Sequence, residues 1–198
     1  MIGVIDYGIG NLGSVANALQ KLNRTFQVSG DPTWLKKADL LILPGVGAAG
    51  IGMANLQNRK LDKFLIREIK KGKPFLGICL GMQLMFDKSE EGEVSCLGIL
   101  KGKVRKFQKE KKVPQIGWNK VKLKKSFGNI PDNSYFYFVN SYYCLPDEKS
   151  IIVGETIYGE NFASVIVKDN IVATQFHPEK SGQVGFQLLN NIIKNYVN

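Results

Sequence analysis

The chain has 198 residues, of which 44% are hydrophobic and 22% charged, and these shares are typical of a globular domain with one substantial core. No run approaches about 18 uncharged apolar residues and the N-terminus has a strand pattern, so we expect neither a membrane-spanning helix nor a signal segment. Three cysteines without a Cys-x-x-Cys pair argue against a disulfide framework or a zinc site, so we expect a cytoplasmic protein without a bound metal.

The formal net charge of +10 is concentrated between residues 101 and 125, a segment that contains eleven basic residues and one acidic residue, Glu110. These lysines and arginines alternate with apolar residues such as Val104 and Val121, a pattern typical of strand edges with a solvated outer face. No recognisable nucleic-acid-binding module accompanies the segment. It therefore predicts an acidic protein surface or a phosphorylated acceptor as partner, and no nucleic acid.

The first eighty residues alternate apolar strands with segments of helical spacing, which predicts a parallel α/β sheet. Asn11 is a candidate N-cap for the first helix. The strands are predicted over residues 2–6, 26–28, 40–43 and 74–78, and the helical segments over 12–22, from 31–32 and over 61–69.

The second half changes to a period of two residues with many β-branched and aromatic side chains, which predicts antiparallel strands. They either extend the sheet or form a small flanking sheet, and a last helix with apolar positions from Val184 to Tyr196 covers one face. No repeat or linker divides the chain, so residues 1–198 are predicted to form one domain. The predicted class is α/β, an open, mostly parallel sheet flanked by helices with antiparallel additions. The strands are predicted over residues 135–139, 151–157, 162–167 and 171–174.

The segment Gly77-Ile78-Cys79-Leu80-Gly81 lies where a predicted apolar strand runs directly into a predicted amphipathic helix. A side chain at such a turn is displayed at the top of the sheet, and flanking glycines allow a sharp bend and a close approach to substrate. The Pro44–Gly47 segment also follows a strand. Because ligands of open sheets gather at the carboxyl ends of the strands, both segments are candidate site elements.

The chain has one histidine, His177, followed two residues later by Glu179. Residues two apart in an extended segment project to the same side, so the Glu179 carboxylate can orient the imidazole. Cys79 as nucleophile, His177 as base and Glu179 as orienter form a set suited to covalent catalysis. The alternative interpretation is a buried cysteine and a hydrogen-bonded loop histidine without catalytic roles.

The motifs GICLGMQ at 77–83, LPGVGA at 43–48 and TQFHPEKSG at 174–182 together resemble the class I glutamine amidotransferases. The resemblance spans nearly the whole chain in the same order. Three further motifs narrow it to the glutaminase subunits that work with a cyclase partner: IDYGIGNL at 5–12, GWN at 117–119 and YFVNSYY at 137–143.

This resemblance implies a flavodoxin-like fold and the hydrolysis of L-glutamine without a cofactor. It assigns the oxyanion donors to the backbone of Leu80 and of the Pro44–Gly47 strand, where the peptide of Val46 reorients. Without the resemblance, Pro44–Gly47 is more simply a tight turn. The substrate-binding and oxyanion residues that it implies are Gly45, Val46, Gly47, Leu80, Gln83, Ser141 and Tyr142.

The resemblance also implies a heterodimer with a HisF-like (β/α)8 cyclase, to which ammonia passes for the synthesis of imidazole glycerol phosphate and AICAR in histidine biosynthesis. The docking face then carries Asn11, Trp118, Tyr137 and Lys180. On the residues alone, Trp118 is more simply a core residue and Lys180 a solvated charge.

Two positions depart from the family pattern, because Gln115 and Asn140 stand where these subunits usually have histidine. The departures leave the ammonia acceptor open, and a paralogous glutaminase that supplies ammonia for amidation of a surface-polysaccharide sugar is the first alternative. A hydrolase of another cysteine family and a non-enzymatic scaffold that binds through its basic segment are the others.

Overall fold

The computed structural model describes residues 1–109 and 112–195. Its first half alternates strands and helices as the sequence predicts. The elements in order are β1 (Ile2–Ile5), α1 (Leu12–Lys21), β2 (Phe26–Ser29), α2 (Pro32–Leu35), β3 (Leu40–Gly45), α3 (Ala49–Asn58), α4 (Leu61–Lys70), β4 (Phe75–Cys79) and α5 (Leu80–Gln83).

The second half is mostly strand and ends in one long helix. The strands are β5 (Lys88–Ser89), β6 (Val94–Ser95), β7 (Gly102–Lys106), β8 (Gln115–Leu123), β9 (Ser134–Asn140), β10 (Tyr142–Pro146), β11 (Ile152–Tyr158), β12 (Glu160–Lys168) and β13 (Ile171–Thr174). Two 3₁₀ turns, Lys149–Ile151 and Pro178–Lys180, and the helix α6 (Gly182–Lys194) complete the described elements.

Five parallel strands form the centre of the sheet in the order β2-β1-β3-β4-β13. This is the flavodoxin-like order of doubly wound folds. Leu56 of α3 and Leu65 of α4 belong to the core on one face, and Leu19 of α1 and Leu189 of α6 to the core on the other. Because both faces are covered, β1, β3, β4 and β13 are buried along their whole length.

Antiparallel strands extend this centre beyond β13. β12 pairs with β13, β10 pairs with β12, and β7 pairs with β10. β11 pairs with β12 on one side and with β8 on the other, and β8 and β9 form a hairpin. The predicted fold class, an α/β sheet flanked by helices with antiparallel additions, is confirmed.

Two features of the first half differ from the prediction. The helix α3 was not predicted, because its sequence contains two glycines and has little contrast between apolar and polar faces. The amphipathic helix predicted after Cys79 is wrong. α5 is a single turn whose four residues are all buried, so it has no polar face, and the chain continues into the core at Leu84–Phe86. Tyr196 of the predicted last helix lies outside the described residues.

The basic segment has the predicted alternation but not the predicted edge position. Val104 and Val121 are buried while the lysines point outward. However, β7 and β8 each pair with strands on both sides. Acids from other elements partly neutralise the segment, for instance Glu155, whose carboxylate lies 2.7 Å from the Lys124 ammonium. Within 1–109 and 112–195, no helix is both long and apolar enough to cross a bilayer.

Candidate active site

Cys79 lies at a strained turn between β4 and α5. Its φ of +54° and ψ of −107° are outside the regions that non-glycine residues usually adopt. Such a conformation costs about 1–3 kcal/mol and persists only where the surrounding structure imposes it. It aims the thiol into a cavity of about 390 Å³ at the carboxyl edge of the central strands.

The two glycines that flank Cys79 are required by close packing rather than by their own backbone angles. A Cβ atom at Gly77 would lie 2.9 Å from the carbonyl oxygen of Gly81. A Cβ atom at Gly81 would overlap the carbonyl oxygen of Leu43 in β3. The expectation that these glycines make the bend is therefore wrong, because Cys79 itself has the positive φ and the glycines let β3, β4 and α5 approach one another.

His177 and Glu179 form a buried pair. The Nδ1 atom of His177 lies 2.8 Å from Oε1 of Glu179. The Nε2 atom of His177 is also buried, and no described residue accepts a hydrogen bond from it or donates one to it within the usual distance and angle limits. Burial lowers the pKa of His177, but the charge of Cys79 and a hydrogen bond to it, together with the hydrogen bond and charge of Glu179, outweigh burial and raise this pKa to about 10. The surroundings therefore favour an imidazolium that interacts with Glu179 through Nδ1 and also with Cys79.

Hydrogen bonds fix the backbone of the His177 segment against β9. The N–H of His177 donates to the carbonyl of Tyr137 at 3.0 Å. The Ser181 hydroxyl donates to the carbonyl of His177 at 2.6 Å and accepts from the N–H of Tyr137 at 2.9 Å. The position of the imidazole is thus tied directly to the strand that carries Tyr137.

The thiol of Cys79 lies between two polar groups. It is 3.8 Å from the carbonyl oxygen of Val139, and Nε2 of Gln175 lies 3.6 Å from its sulfur. Gln83 reaches the same cluster, since its Nε2 donates to Oε1 of Gln175 at 3.1 Å and to the carbonyl of Tyr142 at 3.0 Å. These contacts hold the residues around the thiol in a fixed arrangement.

Most residues expected around the substrate line this cavity. Gly45 does not line it but is the register partner of Cys79 across β3 and β4. The predicted residues that line it are Val46, Gly47, Cys79, Leu80, Gln83, Ser141 and Tyr142.

A sequence model of the family described as Glutamine amidotransferase class-I matches residues 3–195. The chain belongs to this family. The amidotransferase is also similar over nearly its full length to curated proteins named Imidazole glycerol phosphate synthase subunit HisH. The relative from Dehalococcoides mccartyi (strain CBDB1) is 46% identical, covering 98% of this chain and 97% of its own. Those from Methanocaldococcus jannaschii and Aquifex aeolicus are 47% and 49% identical, covering 98% and 95% of this chain and 99% and 93% of their own.

Solved structures share the fold of this amidotransferase at much lower identity. One glutamine amidotransferase superposes with a TM-score of 0.78 at 15% identity, covering 98% of this chain and 97% of its own. Another glutamine amidotransferase, from Thermotoga maritima, has a TM-score of 0.67 at 21% identity, covering 98% of this chain and 81% of its own. These likenesses concern the fold alone.

Two residues of the amidotransferase cavity region were missed by the sequence analysis. Glu91 lines the cavity, and its Oε2 accepts from the N–H of Ala49 at 2.7 Å. Nothing in the acidic run at 90–93 distinguishes it from a solvated loop residue. Gln175 is two residues before His177, and the same alternation that drew attention to Glu179 could have identified it.

The four residues expected to bind the partner of the amidotransferase have different environments. Trp118 is 54% exposed and packs edge to face on Tyr137, with ring centroids 6.1 Å apart. Lys180 is half-buried in the turn that follows His177. Asn11 caps α1 through its side-chain oxygen, which accepts from the N–H of Ser14. The interpretation of Trp118 as a core residue is therefore wrong.

Gln115 and Asn140 of the amidotransferase face each other directly across the β8–β9 hairpin. Both are buried, and within the described part of the chain the side-chain oxygen of each has no hydrogen-bond partner. The Nδ2 atom of Asn140 donates to the carbonyl of Tyr142 at 3.0 Å, and Asn140 lines the cavity. The two residues that depart from the family pattern are therefore neighbours, and they lie together beside the cavity.

Proposed function

We propose that the amidotransferase, as one domain over residues 1–198, is the glutaminase subunit of imidazole glycerol phosphate synthase. It hydrolyses glutamine to glutamate and supplies the ammonia to a (β/α)8 cyclase partner in histidine biosynthesis. The observation that carries the proposal is that Cys79, held at a strained turn, lines a cavity and interacts with His177 of the buried His177–Glu179 pair. The three free cysteines of the amidotransferase support a location in the cytoplasm, where thiols stay reduced.

The first half of the reaction forms a thioester. The Cys79 thiolate attacks the side-chain carbonyl carbon of glutamine and gives a tetrahedral intermediate. The imidazolium of His177 donates its Nε2 proton to the amide nitrogen as the C–N bond breaks, and ammonia leaves. The interaction of the buried imidazole with Cys79 supports this role, and the Nδ1 bond to Glu179 fixes the ring so that Nε2 remains available to the substrate.

The second half releases glutamate. Neutral His177 takes a proton from a water molecule as that water attacks the thioester carbon, so the same imidazole acts first as acid and then as base. The collapse of the second tetrahedral intermediate frees glutamate and restores the thiolate and imidazolium. Backbone N–H groups of Leu80 and Val46 stabilise the negative oxygen of both intermediates. Because α5 is only one turn long, this stabilisation comes from the N–H groups themselves and little from a helix dipole.

Recognition of free glutamine requires partners for its charged α-amino and α-carboxyl groups. Glu91 supplies a carboxylate in the cavity for the α-ammonium group, while backbone of Ser141 and Tyr142 lines the same cavity. The amide nitrogen of Gln83 is already bonded to Tyr142 and Gln175, so Gln83 shapes the substrate site mainly by holding these residues. Gly47 lines the same cavity.

The partner docks on the exposed face of the β8–β9 hairpin. Besides Trp118, the exposed side chains Ile116 and Tyr135 lie on this face, at 59% and 51% exposure. An apolar and aromatic patch of this kind is typical of protein interfaces. The backbone of β9 contacts both reacting residues, since the Tyr137 carbonyl accepts from the backbone N–H of His177 and the Val139 carbonyl lies against the Cys79 thiol. A shift of β9 on docking can therefore change the positions of His177 and Cys79.

Removing the charge of Glu179 is expected to change the pH dependence of the reaction. In the Glu179→Gln variant one cause of the raised His177 pKa is lost, so this pKa falls from about 10 and the imidazolium disappears at lower pH. The alkaline limb of kcat/KM for glutamine should move down by at least about one pH unit, which gives at least about a twofold loss at pH 9 and about a fivefold loss at pH 10. Glu148→Gln, which alters an exposed ion pair with Lys168, is the control. An unmoved alkaline limb in Glu179→Gln would contradict the assignment.

Truncating Trp118 is expected to weaken partner binding. Loss of a large exposed aromatic side chain from the interface should raise the Kd for the cyclase partner by about 10- to 100-fold, measured by calorimetry. Trp34→Ala is a matched control. Trp34, the second tryptophan of the chain, lies in α2 and packs against the hydrophobic core rather than on the β8–β9 hairpin. Equal Kd values for Trp118→Ala and the unmodified protein would place the interface elsewhere.

A coupled assay distinguishes this function from the alternative acceptor. Amidotransferase, its genomic cyclase partner, the phosphorylated ribulose intermediate and amide-¹⁵N glutamine are combined, and ¹⁵N is expected in the imidazole product. Glutamate release without ¹⁵N in that product would favour the surface-polysaccharide acceptor. Absence of glutamate release would contradict glutaminase function itself.

A further inference from the structure

Tyr7 follows β1 and places its hydroxyl beneath the strand that leads to the cavity. The residue is fully buried, and its hydroxyl has no hydrogen-bond partner among the described residues. A Cβ atom at Gly45 would lie 2.5 Å from the Tyr7 hydroxyl oxygen and 2.7 Å from the Cβ of Leu80. The hydroxyl therefore lies against the backbone of Gly45, directly behind the Cys79 turn.

The Tyr7 hydroxyl is a donor that has no acceptor in the described part of the chain. Burial, together with the negative charge of Cys79, raises its pKa far above the ordinary value, so the proton stays on the oxygen. A buried polar group without a partner costs about 1–3 kcal/mol, and such groups are uncommon in native structures. A second conformation that supplies an acceptor would remove this cost.

The backbone beside the hydroxyl is able to supply that conformation. Gly47 has a φ of +105°, and no described atom lies within 4 Å of its Cβ position, so the chain after Val46 has room to adjust when the Gly45–Val46 peptide rotates. The Val46 side chain is 38% exposed, and α3 begins only at Ala49. Rotation of the Gly45–Val46 peptide turns the Val46 N–H to one side and the Gly45 carbonyl to the other.

We propose that Tyr7 is a positioning residue whose hydroxyl donates a hydrogen bond to the Gly45 carbonyl when the Val46 N–H points at the tetrahedral oxygen. The bond stabilises the conformation that is competent for the reaction relative to the one in which the hydroxyl has no acceptor. This inference rests on the proposed glutaminase function. It assigns to the first β–α loop a part in the chemistry that occurs at β3 and β4.

The Tyr7→Phe variant removes only the hydroxyl and tests the proposal. With the cyclase partner present, kcat for glutamine hydrolysis is expected to fall about fivefold while KM stays unchanged, since one neutral hydrogen bond to the competent conformation is lost. Affinity for the aldehyde analogue of glutamine, which forms a tetrahedral adduct with Cys79, should fall by a similar factor. The free energy of unfolding should stay equal or increase, because the hydroxyl has no partner in the resting structure.

Tyr158→Phe is the matched control, since its hydroxyl donates to the carbonyl of Lys112 at 2.6 Å and it does not line the cavity. Its kcat should match that of the unmodified protein. An unchanged kcat in Tyr7→Phe would overturn the proposal, and so would a fall in kcat that accompanies a lower free energy of unfolding, which indicates a structural role. If the unmodified complex itself is inactive, the proposed glutaminase function is contradicted. This result differs from the two outcomes that would overturn only the role of Tyr7.

Discussion

Replacing Cys79 with alanine is expected to lower glutamine hydrolysis by at least about 10⁴-fold, because Cys79 is the cysteine that lines the described cavity and forms the thioester. The cavity and the cyclase-binding face should be retained, so the variant is expected to bind its partner with unchanged Kd. Glutamate release by the complex, followed with glutamate dehydrogenase, measures the loss.

The other two cysteines are suitable controls for Cys79. Burial, with a contribution from Glu91, raises the pKa of Cys96 to about 11, and burial raises the pKa of Cys144 well above its ordinary value. Both therefore remain thiols at neutral pH and are poor nucleophiles. Cys96→Ala should keep nearly full activity. A comparable loss in Cys96→Ala, or full activity in Cys79→Ala, would contradict the assignment of the nucleophile.

Replacing Gly81 with alanine is expected to destabilise the whole fold. The added Cβ would overlap the Leu43 carbonyl oxygen, and backbone of β3 cannot move aside as a flexible side chain would. The cost should exceed about 3 kcal/mol, the upper end of ordinary overpacking. Urea unfolding followed by circular dichroism measures it, and failure to obtain folded protein is the extreme form of the same result.

Gly13→Ala is the matched control for this prediction. Gly13 lies in α1, and no atom lies within 4 Å of its Cβ position. Alanine there should raise the free energy of unfolding by about 0.5–1 kcal/mol, because it favours helix and restricts the unfolded chain. Similar stabilities for Gly81→Ala and Gly13→Ala would show that β3 and α5 do not pack as closely as described.

The sequence was sufficient for the parallel centre of the fold because its strands are short apolar runs separated by clear helical spacing. β1, β3, β4 and β13 all lie within one or two residues of their predicted bounds. The helix α3 and the single turn α5 were not predictable in the same way. Their form depends on burial against other elements, and burial suppresses the polar face on which periodicity relies.

The candidate site shows the same division. Cys79, His177 and Glu179 could be found because each lies in a short motif whose local geometry carries chemical meaning. Glu91 could not be found, because it reaches the cavity only through the packing of its loop against the start of α3. Tyr7 was likewise hidden, since its relation to Gly45 depends on the neighbouring positions of β1 and β3 in the sheet.

Why glycine is needed on both sides of Cys79 could be learned only from the structure. On the sequence alone, such glycines are expected to allow a bend, whereas the distances show that they allow backbones to pack closely. Both explanations require glycine at the same positions. Only the packing explanation predicts which atom the Cβ of a substituted residue would overlap.

The most direct test of the account is to identify the covalent intermediate. The amidotransferase and its cyclase partner are mixed with saturating glutamine, quenched in acid during turnover and digested, and the peptides are analysed by mass spectrometry. A glutamyl thioester on the peptide that contains Cys79, absent in Cys79→Ala, is the predicted result. Continued release of glutamate with no adduct on Cys79, or with the adduct on Cys96 or Cys144, would contradict the account.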